Sequence, residues 1–170
     1  VNPTAPVIPG TGLIPSPRGS QSFEDPSHPA CLAPGKRPRL TPNPAIIINP
    51  GQWAMPLGTP GNDVQVQAMV EVLLNIHHHK MSVQGAINAP RFATMSFPQT
   101  STPHKYDKDL LLLEGRITAD ISDRLAQAGH LVKRWRDYDW RAGAVCAIKR
   151  NEKSGRLEGG ADPRRPSGVA

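Results

Sequence analysis

Twelve of the nineteen prolines in this 170-residue chain fall within its first fifty residues. Proline fixes φ at about −65° and removes a backbone donor, so neither a long helix nor a central strand runs through such a segment. Glu24 and Asp25 are the only acids there. Residues 1–44 are therefore expected to be extended and looping, residues 45–166 an α/β core, and residues 167–170 a tail. The 38% hydrophobic content is low for this length but sufficient for one core.

The net charge of +6 permits contact with an anionic surface without establishing one. The basic residues are scattered through "GKRPR", "VKRWRDYDWR" and "DPRRP", with neither a continuous stripe nor the aromatic spacing of a single-strand platform. A nucleic-acid partner is therefore not expected. Cys31 and Cys146 are too few and too distant for a metal knuckle or a redox pair, and read as free, mostly buried thiols, with one disulfide left open. No run of eighteen apolar residues exists, so no membrane-spanning helix is expected. Because the chain opens on Val1, the lack of a signal peptide says nothing about its compartment.

"AIIIN", Ala45 to Asn49, is a β-branched run followed by an Asn-Pro-Gly turn and "QWAMPLG", which predicts two strands joined tightly. From Asp63 the period lengthens to that of an amphipathic helix of about four turns. Val66, Met69, Val70, Leu73 and Ile76 are placed on its inner face, and Gln67, Glu71, Asn75 and His78 on the opposite one. "SVQGAINA" predicts a short helix capped by Ser82 and ended by Pro90. "DLLLLEGRI" fits a buried strand. "TADISDRLAQAGH" fits a helix capped by Thr118 and closed by Gly129, with Ile121 and Leu125 facing inward. "AGAVCAIKR" and "RLEGGAD" predict a hairpin around "NEKSG".

The junction "PLGTPGND" carries the chemistry most open to inference. A strand ending at Leu57 delivers the chain into a turn whose last residues, Gly61 and Asn62, start a helix. The first N–H groups of a helix lack internal partners and sit in partial positive charge, so such a turn can donate to a carboxylate, a phosphate or a tetrahedral oxyanion. An ordinary connection capped by Asn62 or Thr59 fits the same residues. Other signals are thin: there is no serine elbow, zinc-protease or P-loop motif. Ser22 and Thr41 are hydroxyls without an evident base, and Cys146 is expected to be inert in an apolar strand. His77, His78 and His79 point about 100° apart on a helix and do not converge on one metal, so a solvated helix end with Lys80 against the dipole is the better account. Arg37 in "GKRPR" is expected to pair with a buried carboxylate, with Asp162 as the candidate.

Six blocks occur together: "PGTG" at Pro9 to Gly12, "DPSHPACLAPGKRP" at Asp25 to Pro38, "GTPGND" at Gly58 to Asp63, "NAPRF" at Asn88 to Phe92, "AGH" at Ala128 to His130, and "GGADPRRP" at Gly159 to Pro166. In this order and spacing the chain resembles the gamma-glutamyltranspeptidase family of N-terminal nucleophile hydrolases, which includes the cephalosporin acylases. The resemblance implies an α+β fold that is part of a four-layer αββα sandwich. It also implies a partner, the large subunit of the same self-cleaving precursor, and γ-glutamyl transfer to water or an amino acid without metal or cofactor. The nucleophile of the family is the N-terminal Thr of the small subunit, activated by its own α-amine.

By the same resemblance Gly61 and Asn62 supply the backbone oxyanion donors, although the family has a second glycine at 62. The paired hydroxyls that hold the substrate α-carboxylate fall on Leu40 and Thr41, and only Thr41 keeps the chemistry. The acid that holds the α-amino group falls near Ser22. Glu24 or Asp25 would have to replace it, and its loss favours a cephalosporin-acylase-like amide hydrolase over γ-glutamyl specificity. The opening "VNPTAPVIPGTG" lacks the nucleophilic Thr and its strand, so this polypeptide by itself is expected to be inactive, whether a fragment or a non-catalytic remnant.

Overall fold

A computed structural model describes residues 6–168. Val1 to Ala5, at the start of the proline-rich segment, and Val169 and Ala170, in the tail, lie outside the described residues. Packing separates two compact units: Val1–Thr41 with Pro98–Lys105, and Pro42–Phe97 with Tyr106–Ala170.

In the first unit the prolines leave one short 3-10 turn, Pro17–Gln21, and an isolated parallel bridge between Phe23 and Cys31. Backbone turns and ring stacking hold it. Phe23 lies between His28, with centroids 3.6 Å apart, and His104, at 3.9 Å.

The second unit is α+β. Strands β1 (Ala45–Asn49), β2 (Trp53–Gly58), β6 (Cys146–Asn151) and β7 (Leu157–Gly160) form an antiparallel sheet in the order β1-β2-β6-β7. Strands β3 (Phe92–Thr94), β4 (Leu110–Leu113) and β5 (Leu131–Arg134) form a second sheet, with β3 antiparallel and β5 parallel to β4. The expected hairpins and the strand over "LLLL" are present. Strands β3 and β5 carried no readable signal.

The larger sheet has two unlike faces, as the period of two requires. Met55 and Leu57 of β2 and Ala147 of β6 point into a core completed by helices α1 (Gln65–His77) and α2 (Val83–Asn88). Ile46 and Ile48 of β1, Ile148 of β6 and Leu157 of β7 are exposed. Helix α2 is capped by Ser82, whose hydroxyl accepts the Gly85 N–H at 3.1 Å. It packs so closely on β7 that a Cβ on Gly160 would lie 2.6 Å from Ile87 Cδ1.

Helix α1 has the expected length but a different inner face. Ala68, Met69, Val72 and Ile76 are buried, whereas Val66 and Val70 are exposed. The helix turns its small residue inward, where Ala68 Cβ would meet a Cβ on Gly143 at 3.3 Å. Its polar side is also used. Gln67 Oε1 accepts the Thr94 N–H at 2.8 Å and Glu71 Oε2 accepts the Phe92 N–H at 3.2 Å, so two side chains one helical turn apart serve the free edge of β3.

Helix α3 (Ala119–Gln127) departs from expectation further. None of its residues is buried, and the Thr118 side chain makes no capping hydrogen bond. Ile121 and Leu125 do not face a core; with Arg124 and Ala128 they line an open groove. An amphipathic stripe guarantees an apolar face, but the surface that covers it is set elsewhere.

Candidate active site

The chain leaves β2 at Gly58 and passes through Thr59, Pro60 and Gly61 into a 3-10 turn, Asn62–Val64, that runs directly into α1. Gly61 has φ 143° and Asn62 has φ 53°. Only glycine adopts the first value without strain, and asparagine is among the residues that best tolerate the second. A Cβ on Gly61 would lie 3.4 Å from the Gly143 Cα, so two glycine backbones pass in contact here.

Thr59 clamps the turn rather than capping a helix. Its hydroxyl donates to the Pro60 carbonyl at 2.6 Å and accepts the buried Ala144 N–H at 2.7 Å. The Asn62 amide instead donates to Asp63 at 3.3 Å, and neither the 3-10 turn nor α1 has a side-chain cap. Capping by Asn62 or Thr59 is thus corrected. Among the described residues, neither the Gly61 nor the Asn62 N–H donates to another protein group. Two adjacent N–H groups with positive φ, left free in a braced turn, are able to donate to an anion.

Behind this turn lies a buried charge cluster that sequence reasoning missed as a unit. The Arg164 guanidinium donates to both Glu114 oxygens, at 2.7 and 2.6 Å, and to Asp162 at 3.1 Å. Arg91 pairs with Asp162 at 2.7 Å and donates to the Ala142 carbonyl at 2.9 Å. Glu114 also accepts the Arg91 and Asp139 N–H groups and Arg116, while Asp162 accepts the Val145 N–H. Burial alone would raise the Glu114 carboxyl, but Arg164, the Arg91 N–H and Arg116 together bring it below its ordinary value. The Asp162 partners are therefore Arg91 and Arg164. Arg37, proposed for that role, is exposed. A clue was present: a glutamate directly after four leucines of a buried strand requires an ionic partner.

The remaining candidates separate by unit. In the first, Ser22 lines a small cavity, Thr41 is half-buried, and Leu40 is exposed. Cys31, of the first unit, and Cys146, of the second, are both free; Cys31 is half-buried, and Cys146 is exposed because Ala147 occupies the inward position of β6. In the second, His77 ends α1 and its ring stacks on Trp53 with centroids 4.8 Å apart. Burial, with the Lys149 and Lys80 charges, holds the imidazole below its ordinary pKa. His78 and His79 are exposed, and Lys80 Nζ donates to the His77 carbonyl at 2.6 Å, as expected for a cation at a helix C-terminus. Among the described residues no cluster of three or more His, Cys, Asp or Glu is arranged to hold a metal, and no helix is long and apolar enough to cross a membrane.

The family model described as Gamma-glutamyltranspeptidase matches residues 6–170. The chain belongs to the gamma-glutamyltranspeptidase family. It is similar to the glutathione hydrolase-like YwrD proenzyme of Bacillus subtilis, 34% identical over 154 residues that cover 91% of this chain and 28% of that protein. It is similar also to the oxamate amidohydrolase proenzyme of Klebsiella pneumoniae, 35% identical across 93% of this chain and 29% of the relative. Among solved structures, a cephalosporin acylase from Bacillus halodurans superposes with a TM-score of 0.73 at 27% identity, over 95% of this chain and 28% of that one. The chain thus spans under a third of the length of these gamma-glutamyltranspeptidase relatives, and the relatives named as proenzymes are longer precursors.

Proposed function

We propose that this chain is part of the small subunit of a gamma-glutamyltransferase or glutathione hydrolase-like enzyme, and that Gly61 and Asn62 donate to its oxyanion. The observation that carries this reading is the pair of free N–H groups in a turn clamped by Thr59. In the complete enzyme, a Thr hydroxyl from the precursor outside this chain adds to an amide carbonyl carbon while the Thr α-amine takes the proton. The carbonyl oxygen becomes an oxyanion and accepts both N–H groups. Collapse expels the amine with that proton, leaving an acyl ester that water or an amino acid then cleaves. The chemistry uses no metal or organic cofactor.

The partner is the large subunit of the same precursor. Its seat is the exposed face formed by Ile46, Ile48, Ile148 and Leu157. An apolar sheet face opposite a helix-covered one calls for a second sheet about 10 Å away, which supports the four-layer αββα arrangement. Ser22, Leu40 and Thr41 are assigned to the donor-substrate subsite.

A second reading, hydrolysis of a simpler acyl amide, is favoured by Ser22 at the position where the family carries an acid, and by likeness to a relative named for oxamate. The complete, self-cleaved protein should be assayed with a γ-glutamyl anilide, a glutaryl anilide and oxamate. Release from the γ-glutamyl donor supports the first reading. Release only from the others replaces it with the second. No turnover of any of them defeats both in favour of a non-catalytic role.

A further inference from the structure

Three consecutive carbonyls run through the turn that carries the free donors, and each has a partner. The Thr59 carbonyl accepts Gln65 Nε2 at 3.0 Å, the Pro60 carbonyl accepts the Thr59 hydroxyl at 2.6 Å, and the Gly61 carbonyl accepts the Val64 N–H at 3.1 Å. The Gly61 N–H shares its peptide plane with the Pro60 carbonyl, and the Asn62 N–H shares its plane with the Gly61 carbonyl. In a planar trans peptide the N–H points away from the C=O, so a bond that fixes the carbonyl also fixes the aim of the donor.

Two of these restraints are local. The Thr59 hydroxyl reaches the next residue, and the Val64 N–H closes the 3-10 turn itself. The Gln65 bond differs in reach. It spans six residues, from the first position of α1 back to Thr59, and encloses Gly61 and Asn62 in the loop it closes. Helix α1 is seated in the core by Ala68, Met69, Val72 and Ile76, so this bond ties the turn to a rigid element. The half-buried Gln65 side chain also lies along the turn. A Cβ on Gly61 would be 3.8 Å from Gln65 Cγ on one side and 3.4 Å from the Gly143 Cα on the other.

We infer that Gln65 is a positioning residue for the oxyanion: it fastens the Thr59 carbonyl to α1 and so holds the Gly61 and Asn62 donors on target, without itself touching the substrate. This rests on the acyl-transfer reading above and deepens it. The oxyanion forms only on the way through the transition state, so donors that drift off target lower kcat and leave KM near its starting value.

The test uses the complete, self-cleaved protein and whichever amide donor it turns over, with rates normalised to folded, cleaved enzyme. Gln65→Met keeps the length of the side chain and removes the N–H. Its kcat should fall about tenfold or more with KM held within about threefold. Gln65→Glu, equally long and also without the N–H, should not recover the loss. A crystal structure of Gln65→Met should show the Gly61 and Asn62 nitrogens displaced by about 0.5 Å or more. A lower melting temperature with unchanged kcat would reduce Gln65 to a structural role and overturn the inference. A rise in KM alone would overturn it in favour of a substrate contact. Nitrogens left in place would overturn it whatever the rate. Each of these outcomes leaves acyl transfer intact, whereas a wild-type enzyme that turns over no amide defeats that reading and this inference with it.

Discussion

Two neighbouring parts of the second unit handle polar groups in opposite ways. In the cluster of Arg91, Glu114, Asp162 and Arg164 both carboxylates are bound by guanidinium and backbone N–H groups alike. In the Thr59–Asn62 turn one hydroxyl is doubly bonded and two backbone donors are left free. Buried charges persist only when matched, so the cluster is spent on holding α2, β4 and the chain after β7 together. The half-buried Gly61 and exposed Asn62 leave their donors open to water and to any ligand that supplies an acceptor. Family blocks that look alike in sequence thus divide into scaffold, "NAPRF" and "GGADPRRP", and candidate chemistry, "GTPGND".

The sharpest way to break this comparison is at Glu114. Glu114→Ala removes the carboxylate that Arg116, two backbone N–H groups and one side of the Arg164 guanidinium donate to, while Arg164 keeps Asp162, and should cost about 3–5 kcal/mol of stability in urea unfolding of the complete protein. Turnover per folded molecule should stay near wild type. A larger loss of turnover than of folded protein would place the cluster in the chemistry.

Next in size is a pH effect at Glu71, beside the same cluster. Burial pushes its carboxyl up to about 7, helped by Glu114 and opposed by the Phe92 N–H, Arg91 and Arg164. The folded state therefore binds the proton more tightly than the unfolded chain. Its contribution is complete below the ordinary value of 4.5 and is lost as pH rises to about 7. That loss amounts to about 3 kcal/mol. Glu114 and Asp139, whose pKa values are lowered, slope the other way and lose their contribution as pH falls. Comparing urea midpoints across this range for wild type and Glu71→Gln isolates the Glu71 term. A variant with an unchanged slope would refute it.

What was legible in the sequence follows the range of the interactions involved. Strands β1, β2, β6 and β7, the Ser82 cap and the glycine turn before α1 are written in neighbouring residues, and all were readable. The inner face of α1 was not, because counting large apolar residues promotes Val66 and Val70 and passes over Ala68. That choice is made by Gly143, distant in sequence but in contact. The roles of Gln67 and Glu71 depend on the edge of β3, and the partner of Asp162 on three segments meeting in space. The positions of Gly61 and Asn62 were legible; the brace from Thr59 to Ala144 was not.

The turn itself offers two smaller tests. Gly61→Val should lower kcat/KM of the complete enzyme by about 3 kcal/mol if its N–H stabilises the oxyanion. Because valine is strained at φ 143°, turnover must be normalised to folded protein by a melting measurement. Unchanged normalised turnover removes Gly61 from the oxyanion site. Thr59→Val removes the acceptor for the Ala144 N–H, and a buried donor left unpaired costs about 1–3 kcal/mol. Its signature should be lower stability with a modest rise in KM, since the brace positions the donors without touching substrate.

Asn62→Gly is the mildest change and the most discriminating for the role of position 62. The backbone there is left-handed, φ 53°, and among the described residues the side chain hydrogen-bonds Asp63. Glycine adopts this conformation freely, while the unfolded chain gains entropy, so stability should change by less than about 1 kcal/mol. A backbone donor survives the substitution, so kcat should hold within about twofold, a barrier change of about 0.4 kcal/mol. A large fall in kcat with the fold intact would assign the work to the asparagine amide and turn the site from a backbone cradle into a side-chain one.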